Sequence, residues 1–183
     1  MPLDHTDLEN VILGVVLKRG PCTAYMVRME FERSPSSHFS SSPGSIYPIV
    51  RRLEARGWLR SEAGRRGKQR RRLYSLTTAG RRALRGWLTP PLPDSAIGMT
   101  LDPLRTRVYF LAALPRRQRA AFFEHATKRL EQQIASARVD LRRYQETGDT
   151  LSGLAAEGGI EELRTRLRWI RRVATAIASD DRS

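Results

Sequence analysis

The stretch Ser42-Pro43-Gly44-Ser45-Ile46-Tyr47-Pro48-Ile49-Val50-Arg51-Arg52-Leu53-Glu54-Ala55-Arg56-Gly57 holds the residues best suited to chemistry. Ile46, Ile49, Val50 and Leu53 recur at i, i+3, i+4 and i+7, which predicts a helix with one apolar side. At 100° per residue the opposite side carries Gly44, Pro48, Arg51 and Ala55, flanked by Tyr47 and Arg52. That side is shallow and cationic. A guanidinium is a planar fork that reaches guanine edges bidentately and grips phosphate oxygens. Pro48 would cost roughly 3 kcal/mol in a helix interior, so the helix is predicted to begin near Gly44 or Ser45, where first-turn amides are unpaired anyway. Those amides face an anion at the helix start. The expectation is that Ser42, Ser45, Tyr47, Arg51 and Arg52 lie at a groove of double-stranded DNA.

Gly57 supplies a helix stop. Beyond it Trp58 to Glu62 and Arg72 to Leu76 read as two short strands, joined by Ala63-Gly64-Arg65-Arg66-Gly67-Lys68-Gln69-Arg70-Arg71. Lys68, Arg70 and Arg71 are expected to contact phosphate or the minor groove from this hairpin.

These two elements need a scaffold. A first helix is predicted from a Thr6 cap, with Glu9 reaching back in a capping box. Leu8, Val11, Ile12, Val15 and Val16 form its apolar stripe, and Leu13 and Leu17 make a second side apolar, so the helix is expected to lie between two partners. Gly20-Pro21 ends it. A second helix runs from a Thr23 cap to about Arg33, burying Met26, Val27 and Phe31, and a fourth runs from Thr77 or Thr78 to about Leu88, burying Leu84, Trp87 and Leu88. Helix, helix, turn, helix and basic hairpin make a winged helix-turn-helix.

Prolines at 90, 91 and 93 mark a linker over 90–94 between a DNA-binding domain at 1–89 and a helical domain at 95–183. In the second part Asp102 caps and Pro103 opens a helix with Leu104, Val108 and Leu111. Pro115 opens a long helix with Phe123, Ala126, Leu130, Ile134, Ala137, Leu141 and Tyr144 in register. After a break at Thr147-Gly148-Asp149, Ile160, Leu163, Leu167, Ile170, Ala174 and Ile177 repeat the rhythm. Such stripes are buried either against each other in one chain or against a second copy. The reading adopted is a homodimer through Leu13, Leu17, Leu130, Ile134, Leu141, Leu163, Leu167 and Ile170. The fold class is mainly α with a small two-stranded β-wing.

The charge distribution agrees with a polyanion partner. The 183 residues carry a formal charge of +14, with 30 arginines and 3 lysines. Residues 1–89 hold 17 basic and 7 acidic side chains, and residues 90–183 hold 16 and 12, so the excess sits with the helix and the hairpin. A cytoplasmic protein is expected, because Cys22 stands alone and neither a leader nor a long apolar run appears. An anionic membrane surface is not the expected partner, since the basic residues do not share a helix with an opposite bulky apolar face. Enzyme chemistry is not expected either. His5, His38 and His125 are scattered, and no phosphate-binding glycine loop, nucleophile elbow or zinc-protease helix is present. No cofactor or metal is implied.

The Ser42–Leu59 stretch, together with Leu73-Tyr74-Ser75-Leu76-Thr77-Thr78-Ala79-Gly80, resembles the signature of the PadR family of transcriptional regulators. The resemblance covers about the first 88 residues. It implies a homodimer whose winged domains bind a palindromic operator, usually repressing detoxification or efflux genes and often released by a small-molecule effector near the dimer interface. It places groove-facing roles on Ser42, Gly44, Ser45, Tyr47 and Pro48, and the wing role on Gly67 to Arg72. Ala24 departs from the family's usual glycine before Tyr25, and the wing is richer in arginine. Phe122, Phe123, Tyr109 and Trp169 are aromatic candidates for an effector pocket or for core. The alternative reading is a winged-helix protein-interaction module without sequence-specific DNA binding.

Overall fold

The computed structural model describes residues 7–33, 46–66, 69–98 and 102–180, with backbone alone at 33, 65, 66, 69, 70 and 180. The chain divides into two units, Met1–Gly98 and Met99–Ser183, so the division falls past the prolines that mark the predicted linker.

The first unit holds α1 (Asp7–Arg19), α2 (Ala24–Arg33), α3 (Ile46–Ala55), β1 (Leu59–Arg66), β2 (Gln69–Leu76), α4 (Thr78–Leu88) and the single turn α5 (Asp94–Ile97). Ile12, Leu13 and Val16 of α1 meet Val27 and Phe31 of α2, the apolar side of α3, and Leu59, Tyr74, Leu76 and Leu84 in one core. The expected second apolar side of α1 is covered only in part inside the unit. Leu13 is fully buried, whereas Leu17 is 45% exposed. The predicted Thr6 cap lies outside the described residues. Three residues expected in the core lie further out: Met26 and Leu88 are exposed, and Trp87 is half-buried with its indole N–H donating to Asp7 Oδ1 at 3.0 Å.

α3 ends in a hydrogen-bonded pattern that requires its glycine. Gly57 has φ +72°, its amide donates to the Glu54 carbonyl at 2.9 Å, and the Trp58 amide donates to the Leu53 carbonyl at 2.9 Å. The antiparallel ladder that follows is longer than the sequence predicts, running from Leu59↔Leu76 to Arg66↔Gln69. Arginine-rich strand ends lack the apolar alternation by which a strand is read, but the backbone ladder does not depend on it. Cys22 adds to the outer edge of β2, exchanging backbone hydrogen bonds of 3.1 and 2.7 Å with Tyr74.

The second unit is a helical hairpin. Asp102 caps α6 (Pro103–Tyr109) as predicted, accepting from the amides of Leu104 and Arg105. A short 3-10 turn (Leu111–Ala113) leads to α7 (Arg116–Glu146), and the turn at Gly148, φ +67°, reverses the chain into α8 (Thr150–Asp180). Phe123, Ala126, Leu130, Ile134 and Ala137 of α7 bury themselves against Ile160, Leu163 and Ile170 of α8, with Leu141 and Leu167 packed at the margin. Two adjacent stripes joined by a three-residue turn cover each other, so Leu130, Ile134, Leu163 and Ile170, expected at a dimer interface, are already buried inside the hairpin of one chain.

Candidate nucleic-acid interface

Helix α3 is braced from behind. Ile46, Ile49, Val50 and Leu53 are all buried, while Tyr47, Pro48, Arg51 and Arg52 are exposed, so the predicted two-sidedness is present. Pro48 sits in the first turn, where its missing N–H costs no helical bond. Ser42, Gly44, Ser45 and Lys68 lie outside the described residues, and Arg70 is described by its backbone alone.

The neighbouring arginines 51 and 52 have different surroundings, which helical periodicity does not reveal. Arg52 Nε donates to Glu9 Oε1 at 2.7 Å and Arg56 Nη1 donates to Glu9 Oε2 at 3.1 Å. Glu9 is only 2% exposed. Burying a carboxylate is unfavourable unless it is paired and hydrogen-bonded, and Arg52 in the last turn of α3 and Arg56 just past its end supply both partners. Arg56 also lies 5.6 Å over the Trp58 ring. Arg51 stands exposed on the adjoining face beside Tyr47.

A second acid fixes the wing. Glu54, near the end of α3, accepts from the Ser61 hydroxyl of β1 and, at 3.4 Å, from Arg72 of β2. Both strands are thereby tied to the helix. The exposed Arg71 pairs across the ladder with Gly64, so it stands on the hairpin beyond the part that Glu54 anchors. Thr77 closes the arrangement: its hydroxyl donates to the Gly57 carbonyl at 2.6 Å and accepts from the Gly80 amide at 3.1 Å, joining the end of α3 to the start of α4.

Sequence reasoning read Glu9 only as a capping acid of α1 and missed its pairing with Arg52 and Arg56, and it missed the role of Glu54. A carboxylate within the Leu8-Glu9-Asn10-Val11 run was one available signal, since only a buried partner makes it tolerable there. The four aromatic residues considered for an effector do not converge. Phe122 and Trp169 pack against the hairpin core, and Tyr109 is 82% exposed, meeting Phe110 edge-on. Phe123 alone borders an open depression of about 520 Å³ on the hairpin, shared with Thr127, Lys128, Glu131 and Arg171. There Arg171 is held by Glu131 at 2.5 Å.

A helix braced by core on one side and cationic on the other, followed by an arginine-rich hairpin, defines a winged helix-turn-helix protein. The chain matches the transcriptional regulator PadR-like family over residues 12–86. It is 20% identical to the negative transcriptional regulator PadR of Bacillus subtilis over 94% of this chain and 98% of that one. The fold agrees along the whole length. The structure of Bacillus subtilis PadR in complex with operator DNA superposes with a TM-score of 0.75 at 20% identity, covering 94% of this chain and 99% of that one. The PadR-like regulator BC1756 of Bacillus cereus gives 0.78 at 21% identity, covering 97% and 99%. The same Bacillus subtilis protein in complex with p-coumaric acid gives 0.68 at 19% identity, covering 97% of this chain and 98% of that one.

Proposed function

We propose that this protein is a cytoplasmic repressor that binds a palindromic operator in double-stranded DNA as a homodimer and is released by a small-molecule effector. The observation that carries the reading is the outward face of α3, where Tyr47, Pro48 and Arg51 stand on a fully braced helix beside a wing fixed to it through Glu54. In this reading that face enters the major groove, Ser42, Gly44 and Ser45 bring the chain to the backbone at the helix start, and Lys68, Arg70 and Arg71 grip phosphate. Among the described residues no helix is long and apolar enough to cross a membrane.

Repression and effector release are supported by likeness to Bacillus subtilis PadR, which is a negative regulator and has been solved with p-coumaric acid. For the homodimer, the residues left exposed are the better candidates. Leu17 on α1 and Leu151 and Leu154 on α8 are 45, 80 and 59% exposed, and a second copy that covers them removes apolar surface from water.

Gel shift against operator and random duplexes tests the reading. A dimer that neutralises about six to ten phosphates loses on the order of 10³ to 10⁵ in binding constant between about 50 and 200 mM salt. A flat salt response with no preferred sequence would instead support the protein-interaction module. p-Coumaric acid is the first effector probe, and an unchanged shift at saturating compound excludes it.

A further inference from the structure

The sequence reads Glu9 as the acid of a capping box at the start of α1, yet it is 2% exposed among the core residues of that helix and bonded to a different element. Its bonds to Arg52 and Arg56 come from side chains four residues apart, one in the last turn of α3 and one just past its end, where the Arg56 amide still donates to the Arg52 carbonyl. Two bonds at successive turns restrict both sliding of α3 along α1 and rotation of α3 about its own axis. Rotation is the coordinate that decides which side chains face a groove, because consecutive residues differ by about 100°. With Arg52 drawn to α1, the outward face is that of Tyr47 and Arg51.

The second effect is electrostatic. Every guanidinium that reaches phosphate adds affinity without sequence information. Arg52 lies on the reading helix itself and Arg56 just past its end, where such contacts would compete with base readout. Their pairing with one carboxylate withholds them from phosphate.

We infer that Glu9 is a positioning and specificity-determining residue for DNA recognition: it sets the rotation of α3 and keeps Arg52 and Arg56 off the backbone. The inference rests on the DNA-binding reading above. In this role Glu9 touches no DNA and acts through the two arginines. Loss of its charge therefore tightens binding to the wrong sequences while weakening discrimination.

The test uses the full-length protein and two duplexes, one selected from random DNA by the wild type and one scrambled to the same composition. Glu9→Met keeps the volume and removes both acceptors. It is expected to bind the scrambled duplex more tightly, to steepen the salt slope by about one to two per protomer, and to lose selectivity on the order of tenfold. Glu9→Gln keeps an acceptor for one arginine and is expected to fall between Glu9→Met and wild type. Arg52→Gln is expected to leave the wild-type salt slope unchanged, and in the Glu9→Met background to remove about half of the steepening. A purely structural Glu9 would weaken both duplexes alike with no change of slope, and that result overturns the inference. So does a slope lowered by about one per protomer in Arg52→Gln alone, since Arg52 would then grip phosphate in the wild type. If circular dichroism shows that Glu9→Met does not fold, the Arg52→Gln slope decides by itself. A wild type that selects no duplex overturns the DNA reading, and this one with it.

Discussion

Gly80 in the first turn of α4 lies directly against the backbone of Trp58: a Cβ at position 80 would stand 2.1 Å from the Trp58 carbonyl oxygen and 2.9 Å from its carbon. The same carbonyl accepts from the Thr77 amide at 3.1 Å, so the approach is part of the junction that seats α4 behind α3 and the wing. Because the obstructing atoms are backbone, no rotamer change relieves them.

Gly80→Ala is therefore expected to destabilise the first unit by about 1–3 kcal/mol or more through overpacking. This exceeds the roughly 1 kcal/mol that alanine ordinarily gains over glycine in a helix. Gly158 in α8 is the contrast, with nothing within 4 Å of its hypothetical Cβ. Gly158→Ala is expected to stabilise by about 0.4–1 kcal/mol. Urea denaturation of the two variants checks both signs, and a neutral Gly80→Ala would contradict the close approach.

What the sequence reveals is what depends on local periodicity. α3 is legible because Ile46, Ile49, Val50 and Leu53 repeat at helical spacing and Gly57 ends the run, and Asp102-Pro103 announces α6 in the same way. What it conceals depends on partners distant in the chain. Arg51 and Arg52 look equivalent until Glu9, more than forty residues earlier, is found bonded to one of them. A stripe such as Leu163–Ile170 states that it is buried but not by what, and here α7 of the same chain does the burying. The wing strands extend further than their apolar residues do because a ladder is held by backbone groups, which every residue type supplies.

Cys22 offers a pH test. Burial pushes its thiol above the ordinary value of 9.0, partly offset by the positive charge of Arg19. The unfolded chain deprotonates in the ordinary range while the folded thiol stays neutral. The contribution of this group to stability is therefore complete below 9.0 and is lost as pH rises through the raised folded value. Wild-type protein is expected to lose denaturation midpoint above that pH more steeply than Cys22→Ala. At neutral pH iodoacetamide is expected to leave the folded protein unmodified and to label it in urea. Fast labelling of the native state would show that the Cys22–Tyr74 bridge opens readily.

The homodimer is best tested at exposed positions. Ile170 is fully buried in the hairpin, so Ile170→Asp is expected to unfold the second unit, and it reports on packing and not on association. Leu17→Asp, Leu151→Asp and Leu154→Asp remove exposed apolar side chains without burying a charge in the monomer. Combined, they are expected to give a protein that remains helical by circular dichroism and sediments as a monomer. A dimer that survives all three places its interface elsewhere.

The last prediction separates grip from reading. Arg71 stands on the hairpin beyond the anchoring of Glu54, where a side chain can follow a phosphate backbone but is poorly held at the fixed angle that base recognition requires. Arg71→Ala, and Lys68→Ala and Arg70→Ala with it, are expected to weaken all sequences about equally and to lower the salt slope by about one per lost phosphate contact. Tyr47 and Arg51 stand on a helix braced by four buried side chains and, through Arg52 and Arg56, by Glu9, so their directions are set before DNA arrives. Truncating whichever of them reads a base is expected to cost roughly 1–3 kcal/mol at one operator position and to relax the preference there alone. Competition of each variant between operator and scrambled duplex distinguishes the outcomes. Wing variants that change the preferred sequence, with α3 variants that weaken every duplex uniformly, would reverse the two assignments.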